Sequence, residues 1–168
     1  MKIAEVSDST FIKAIGPKID KGFQGDVHEF YNEYAVVKIW RKTPIQEINN
    51  EIANSILASK YHCAPKVFAY RTIGTKTYLV MEKIRPIKLT PKDYDDVVEL
   101  FDTLISIRLV NYDGSFGRTH SNKLVLFDYG VSKVFGTQKE ATREYCDFFE
   151  TFRDFHNVDE DLLDEFCE

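Results

Sequence analysis

The sequence predicts an α+β fold, with an antiparallel sheet and one helix in its first half and helices with a short β interruption in its second. Three observations predict it. Short β-branched and aromatic runs broken by glycines occupy residues 11–40. An apolar three- and four-residue period takes over at residues 45–57. The same period returns after residue 91, now strongly apolar. The chain has 168 residues, which suits one compact domain or one domain of two small lobes.

The first ten residues are polar and are expected to be loose. Residues 11–15 and 34–40 read as strands, with Gly16-Pro17 and the Gly22 to Gly25 region as turns. Thr43-Pro44 predicts a helix start, with Thr43 as cap and Pro44 in the first turn. Ile45, Ile48, Ile52, Ile56 and Leu57 then mark one apolar face through about Ser59. Residues 66–70 and 77–82 read as two more strands around Gly74. Residues 91 to about 109 predict a helix carrying Val97, Val98, Phe101, Leu104, Ile105 and Ile107. A polar loop is expected at 111–122 and a short strand at 123–127. A helix at about 140–156 has an aromatic face of Tyr145, Phe148, Phe149, Phe152 and Phe155, and a last short helix is expected at about 159–166.

Composition narrows the function classes. The net charge of −5 argues against a nucleic-acid binder, which would carry a basic face. No apolar run nears the ~20 residues that span a bilayer, and the N-terminus lacks a signal-peptide core, so a soluble protein without a membrane partner is expected. Cys63, Cys146 and Cys167 have no metal-ligand spacing, and their scatter predicts reduced thiols.

Four signals that carry chemistry follow one another. Lys21-Gly22-Phe23-Gln24-Gly25-Asp26-Val27 lies between two strands, where glycines let backbone N–H groups approach phosphates. Standing alone, such a pair of glycines is a turn. In Val36-Val37-Lys38-Ile39 the lysine stem is in the core, so its ammonium needs a partner. Glu51 shares a helix face with Ile48, Ile52 and Ser55 and can supply that partner; Glu47, beside the apolar stripe, is the other candidate. Asp113 sits in the polar loop, and Asp128 ends an apolar strand before Tyr129-Gly130.

The order of these signals, over roughly residues 15 to 135, resembles the protein-kinase signature set. The resemblance implies a kinase-like fold with an N-lobe at 11–84, a strongly reduced helical C-lobe at 85–168, and a nucleotide between them. It implies that Gly22, Gly25 and Val27 cover ATP, that Lys38 holds its α- and β-phosphates, and that Glu51 orients Lys38. It implies Asp113 as the acid that accepts the hydroxyl proton and Asp128 as the Mg²⁺ ligand. Residues 78–84 resemble the adenine strand and hinge, with Met81 as gatekeeper and backbone groups of Glu82 and Ile84 on the base.

Departures from the family pattern are specific. Its first loop glycine is Asp20, and its His-Arg-Asp triplet is Asn111-Tyr112-Asp113. Its metal-binding Asn is Arg118, whose charge either replaces a second Mg²⁺ near the γ-phosphate or repels the first, and Asn122, the other candidate substitute, has the wrong spacing. Only 38 residues follow Gly130, so no Ala-Pro-Glu segment and no full substrate platform are expected. This brevity is similar to the minimal type III secretion effector kinases of bacterial pathogens, and to the group of them that phosphorylates a eukaryotic heat-shock chaperone. That resemblance implies a monomeric serine/threonine kinase acting on a host protein in the host cytoplasm. Three other readings stay open: a pseudokinase or binding module, a small-molecule phosphotransferase suggested by Ala64-Pro65-Lys66-Val67, and an unrelated α+β domain.

Overall fold

The computed structural model describes residues 3–21, 24–41 and 43–146. Strands β1 (Ile15–Lys21), β2 (Gly25–Phe30), β3 (Asn32–Trp40), β4 (Val67–Ile73) and β5 (Lys76–Glu82) form one antiparallel sheet in the order β1-β2-β3-β5-β4. β3 is central, and its two-residue period splits its side chains between two cores. Ala35 and Val37 join Phe30, Tyr78 and Val80 on one face. Trp40 joins Ile48 and Ile52 on the other, where helix α2 (Ile45–Lys60) lies. Lys38 shares the Trp40 face by the same alternation and pairs with Val27 on one side and Leu79 on the other.

The N-terminal segment departs from expectation. Ser7 caps a helix, α1 (Asp8–Lys13), by accepting from the Thr10 N–H at 3.3 Å. Phe11 therefore sits on a helix, not a strand, with its ring 4.9 Å from Phe30 and 5.4 Å from Tyr78. One buried aromatic in a six-residue helix leaves no periodicity to read. Pro44, not Thr43, is the cap residue of α2, and the Thr43 hydroxyl instead donates to the Gln24 carbonyl at 3.2 Å.

The second lobe begins at β6 (Arg85–Pro86). The helix expected from residue 91 is divided. Thr90 and Asp93 close a capping box around a 3₁₀ turn at Pro91–Asp93, and α3 (Tyr94–Ser106) follows. The expected polar loop is in large part β structure. β7 (Leu109–Asn111) pairs with β10 (Ser132–Val134), and β8 (Ser115–Arg118) pairs with β9 (Leu124–Phe127) and β6. Residues 138–146 form α4, capped by Thr137, whose hydroxyl accepts from the Glu140 N–H while Glu140 accepts from the Thr137 N–H.

α3 and α4 pack together over β7 and β9. Val97, Phe101, Leu104, Leu109, Leu126, Ala141 and Tyr145 share this core. The Phe101 and Tyr145 rings are 4.5 Å apart, and the buried Tyr145 hydroxyl donates to the Leu109 carbonyl at 2.8 Å. Phe148, Phe149, Phe152, Phe155, the expected helix at 159–166 and Cys167 lie outside the described residues. Cys63 is a buried free thiol, but Cys146 is disulfide-bonded, which overturns the expectation of three reduced thiols. Scatter along a sequence does not report distance in the fold. Among the described residues, no helix is long and apolar enough to cross a membrane.

Two substitutions test this core. Phe101→Ala should cost ~3–5 kcal/mol by urea unfolding, because the cavity it leaves lies between two helices. Tyr145→Phe keeps the ring but orphans the Leu109 carbonyl, and should cost about 1–3 kcal/mol.

Candidate active site

Three elements meet at one ammonium group. β3 carries Lys38 with its stem buried and its Nζ directed at α2. Glu51, 2% exposed, presents its Oε1 to that Nζ in a salt bridge. Its Oε2 accepts from the Trp40 indole N–H at 3.0 Å. The third element is the end of β9, where Asp128 Oδ1 lies 2.9 Å from Lys38 Nζ. Glu47, the alternative partner, instead accepts from Gln24 Nε2 at 3.4 Å.

Burial works against the Lys38 charge, but the Glu51 and Asp128 carboxylates outweigh it and hold the lysine pKa above its ordinary value. Burial raises the Glu51 pKa, and Lys38 and Trp40 only partly offset this. Asp128 has a half-exposed side chain, so it faces the cleft with an oxygen to spare. Its backbone is in the left-handed region, with φ 68°. Asp tolerates that region better than most residues, and such geometry gathers at functional sites. Tyr129, next in the chain, is buried and its hydroxyl donates to the Cys63 carbonyl at 3.2 Å, which anchors this turn in the lower core.

These groups close one end of a cleft of about 350 Å³ between the sheet and the second lobe. Gly25, Val27, Met81, Glu82 and Ile84 line it together with Lys38, Glu51 and Asp128. Gly25 has a steric reason to be glycine, since a Cβ there would stand 2.7 Å from the Ile39 carbonyl oxygen. Gly22 lies outside the described residues. The Glu82 N–H already donates to the Lys66 carbonyl at 2.8 Å, so Glu82 can offer a base only its carbonyl. The cleft is therefore lined by Val27, Met81 and Ile84 over one part and by Lys38, Glu51 and Asp128 at one end.

One expected placement fails. Arg118 is not near Lys38 or Asp128. Its guanidinium binds Asp93 at 2.5 Å and Asp96 at the start of α3, and donates to the Asn122 carbonyl at 3.1 Å. Asn122 stands in the same turn, 3.5 Å from Arg85. Counting residues from Asp113 assumed a loop, whereas β8 carries the chain away from the cleft. Asp113 itself is exposed on the short link 112–114 and is not among the cleft-lining residues.

Sequence reasoning missed two residues of this site. Trp40 steadies Glu51, and its position two residues beyond Lys38 on one strand was a usable signal. Asn111 donates from Nδ2 to the Asp128 carbonyl at 3.2 Å and accepts from the Asp113 N–H at 3.4 Å. The sequence marked its position only as the first residue of the Asn111-Tyr112-Asp113 triplet and gave no sign of these bonds. Among the described residues, no group of three His, Cys, Asp or Glu side chains could hold a metal.

Comparisons with known proteins bear on the fold. No protein-family model matches the chain, and no curated protein does. Solved structures do match. A crystal structure of WbdD superposes with TM-score 0.57 and 16% identity, covering 80% of this chain and 36% of that one. A co-crystal of WbdD with a kinase inhibitor gives TM-score 0.59 and 17% identity, covering 86% and 38%. A further structure, described as the bifunctional kinase-methyltransferase WbdD, gives TM-score 0.54 and 17% identity, covering 75% and 33%. The chain thus spans about a third of the length of these proteins, and it has a reduced protein-kinase-like fold.

The ion pair makes a pH-dependent prediction. Lys38→Met leaves Glu51 buried without its cation and should cost about 3–5 kcal/mol near pH 8. Glu51, raised above the ordinary 4.5, then takes up a proton more readily in the folded state than in the unfolded one. Stability from that proton is present below the unfolded pKa and is lost as pH rises through the folded pKa. The urea midpoint of Lys38→Met should therefore fall from pH 5 to pH 8 more steeply than that of wild type. Adding Glu51→Gln should flatten the difference; a slope that persists in the double variant would assign it to another group.

Proposed function

We propose that this chain is an ATP- and magnesium-dependent protein kinase that transfers the γ-phosphate to a serine or threonine hydroxyl. The observation that carries the reading is the convergence of Lys38, Glu51 and Asp128 at the charged end of an otherwise apolar cleft. Structural cores have little reason to gather one cation and two carboxylates at a cavity mouth, because each ion costs desolvation.

The donor set fits magnesium delivered with a nucleotide. Mg²⁺ is held by one or two carboxylates plus substrate phosphates, and Asp128 supplies one half-exposed carboxylate beside the phosphate end of the cleft. That ion would neutralise charge on the β- and γ-phosphate oxygens. Lys38, kept charged by its two carboxylates and turned by Glu51, binds the α- and β-phosphate oxygens. Val27, Met81 and the hinge at Glu82 and Ile84 receive the base. Asp113 stands on the outer link, where an incoming hydroxyl arrives, and accepts its proton.

The finer reading is a secreted effector that acts as a monomer on a host protein, a heat-shock chaperone among the candidates, in host cytoplasm. The route after Gly130 supports it. Only residues 131–136 separate Gly130 from the Thr137 cap of α4, and three of them pair with β7. That leaves no long activation segment to be phosphorylated, as the resemblance to minimal effector kinases requires. One observation favours a nucleotide-binding module without transfer: Asp113 is not among the residues lining the cleft.

Labelled ATP with a eukaryotic lysate separates the readings. Wild type should label protein on serine or threonine, and Asp128→Ala should not. Asp113→Ala should keep nucleotide-dependent thermal stabilisation and lose roughly 10²–10⁴-fold in rate, the usual worth of a general base. Asp128→Ala should lose part of the stabilisation itself. Stabilisation of wild type by Mg–ATP without any labelled product would select the binding module.

A further inference from the structure

Asp20 stands where the family pattern has its first loop glycine, and neither the sheet nor the phosphate end of the cleft needs a carboxylate there. β1 pairs Asp20 with Val27, and β2 pairs Val27 with Lys38. Residues directly opposite on paired strands share a face, so the three side chains form one row across the sheet. All three line the cleft. The row runs from a cation through an apolar group to an anion, and its two charged residues are two strand spacings, about 10 Å, apart.

The backbone of β1 is adapted to this placement. Its register against β2 shifts between Lys18 and Asp20. A straight strand turns neighbours to opposite faces, yet Ile19 and Asp20 both line the cleft. Such an irregularity re-aims a side chain, and here the re-aimed group is a carboxylate. Asp20 Oδ1 accepts from the Lys21 N–H at 2.7 Å, which orients the group and leaves Oδ2 for another donor. Among the described residues no cation pairs with Asp20, whereas Asp26, beside Val27, is paired with Lys18 at 2.6 Å.

An ionised carboxylate only accepts hydrogen bonds, and it repels phosphates. It therefore suits a nucleotide whose phosphates lie at the other end of the row, beside Lys38. An adenosine nucleotide carries two kinds of donor, the exocyclic amine of its base and the hydroxyls of its ribose. The Glu82 carbonyl is the acceptor on offer to the amine, since the Glu82 N–H is already bonded. The hydroxyls are left for Asp20. We propose that Asp20 binds the ribose hydroxyls of the nucleotide and makes the cleft select ribonucleotides over their deoxy forms, an inference that rests on the nucleotide reading of the cleft.

The test is calorimetric binding of ADP and of 2′,3′-dideoxy-ADP to the full chain, in magnesium and again in EDTA. Wild type should bind ADP about tenfold more tightly than the dideoxy form, the worth of one hydrogen bond to a charged group. Asp20→Ala should lose that factor for ADP and keep wild-type affinity for the dideoxy form, so that the two nucleotides converge. The wild-type preference should persist in EDTA, because the partner of Asp20 is a hydroxyl and not a metal. Equal binding of the two nucleotides by wild type would overturn the proposal. So would an Asp20→Ala loss shared by both nucleotides, which marks a structural role, or a gain, which marks repulsion of phosphates. Binding of neither nucleotide would refute it together with the nucleotide reading. A wild type that prefers ADP through Asp20 but labels no protein from ATP would refute the kinase reading alone and leave the ribose contact standing.

Discussion

Everything in this site depends on where one lysine ammonium is allowed to go. Lys38 is on the central strand with both neighbours paired, so its backbone cannot shift to let the side chain reach water. A charge so placed must find carboxylates, and the fold brings them from two different elements. Glu51 arrives from α2 because Ile48 and Ile52 bury the same face of that helix against the sheet. Asp128 arrives from β9 because Tyr129 is locked beneath it in the second lobe. The ion pair with Asp128 is thus a link between lobes as well as a feature of the cleft. Buried ion pairs replaced by well-packed apolar residues are often neutral or stabilising. The presence of these three groups at a cavity mouth is a cost that packing does not explain.

The second lobe is small, and its economy shows in how few elements support the site. Phe101 of α3 and Tyr145 of α4 stack directly, and Tyr145 reaches past the stack to the Leu109 carbonyl and the Asn111 N–H. The buried hydroxyl that closes the helical core therefore also holds the strand that carries Asn111. Core packing and site geometry are not separable there. Arg118, by contrast, is spent on structure. It joins β8 to the first turn of α3 through Asp93 and Asp96, where carboxylates also suit the helix N-terminus.

The parts of this arrangement that were legible in the sequence are those that follow from local periodicity. Lys38 lies between apolar residues on a strand, Glu51 keeps phase with Ile48 and Ile52, and Asp128 ends the run Leu124-Val125-Leu126-Phe127. Each of these placements needs only one element and its own repeat. α1 was not legible, because a six-residue helix with one buried aromatic has no repeat. The β8 strand was not legible either, because its residues are mostly polar or small and half-exposed. Arg118 was misplaced for that reason, since counting from Asp113 holds only if the intervening chain is a loop. Asn111 was legible as the first residue of the Asn111-Tyr112-Asp113 triplet, but its bonds were not. Its partners are a backbone carbonyl 17 residues away and a backbone N–H two residues away, and backbone groups leave no mark on composition.

A short link between two strands has few ways to aim a carboxylate. Long loops do it with many weak contacts, and short ones need a side chain inserted across them. Here the inserted group is an amide, and the glycine beside it at 114 is the steric condition for it. The left-handed Asp128 belongs to the same solution. A residue at φ 68° is held there only if its surroundings over-determine it, and the Asn111 donor, the Lys38 ammonium and the buried Tyr129 each constrain it from a different side. Removing any one of the three leaves the others in place. Asp128 is therefore held by redundancy across both lobes, at a constant distance from Lys38. Asp113 has no such redundancy. Its placement rests on the link and on one long hydrogen bond, so it is the part of the site most dependent on Asn111.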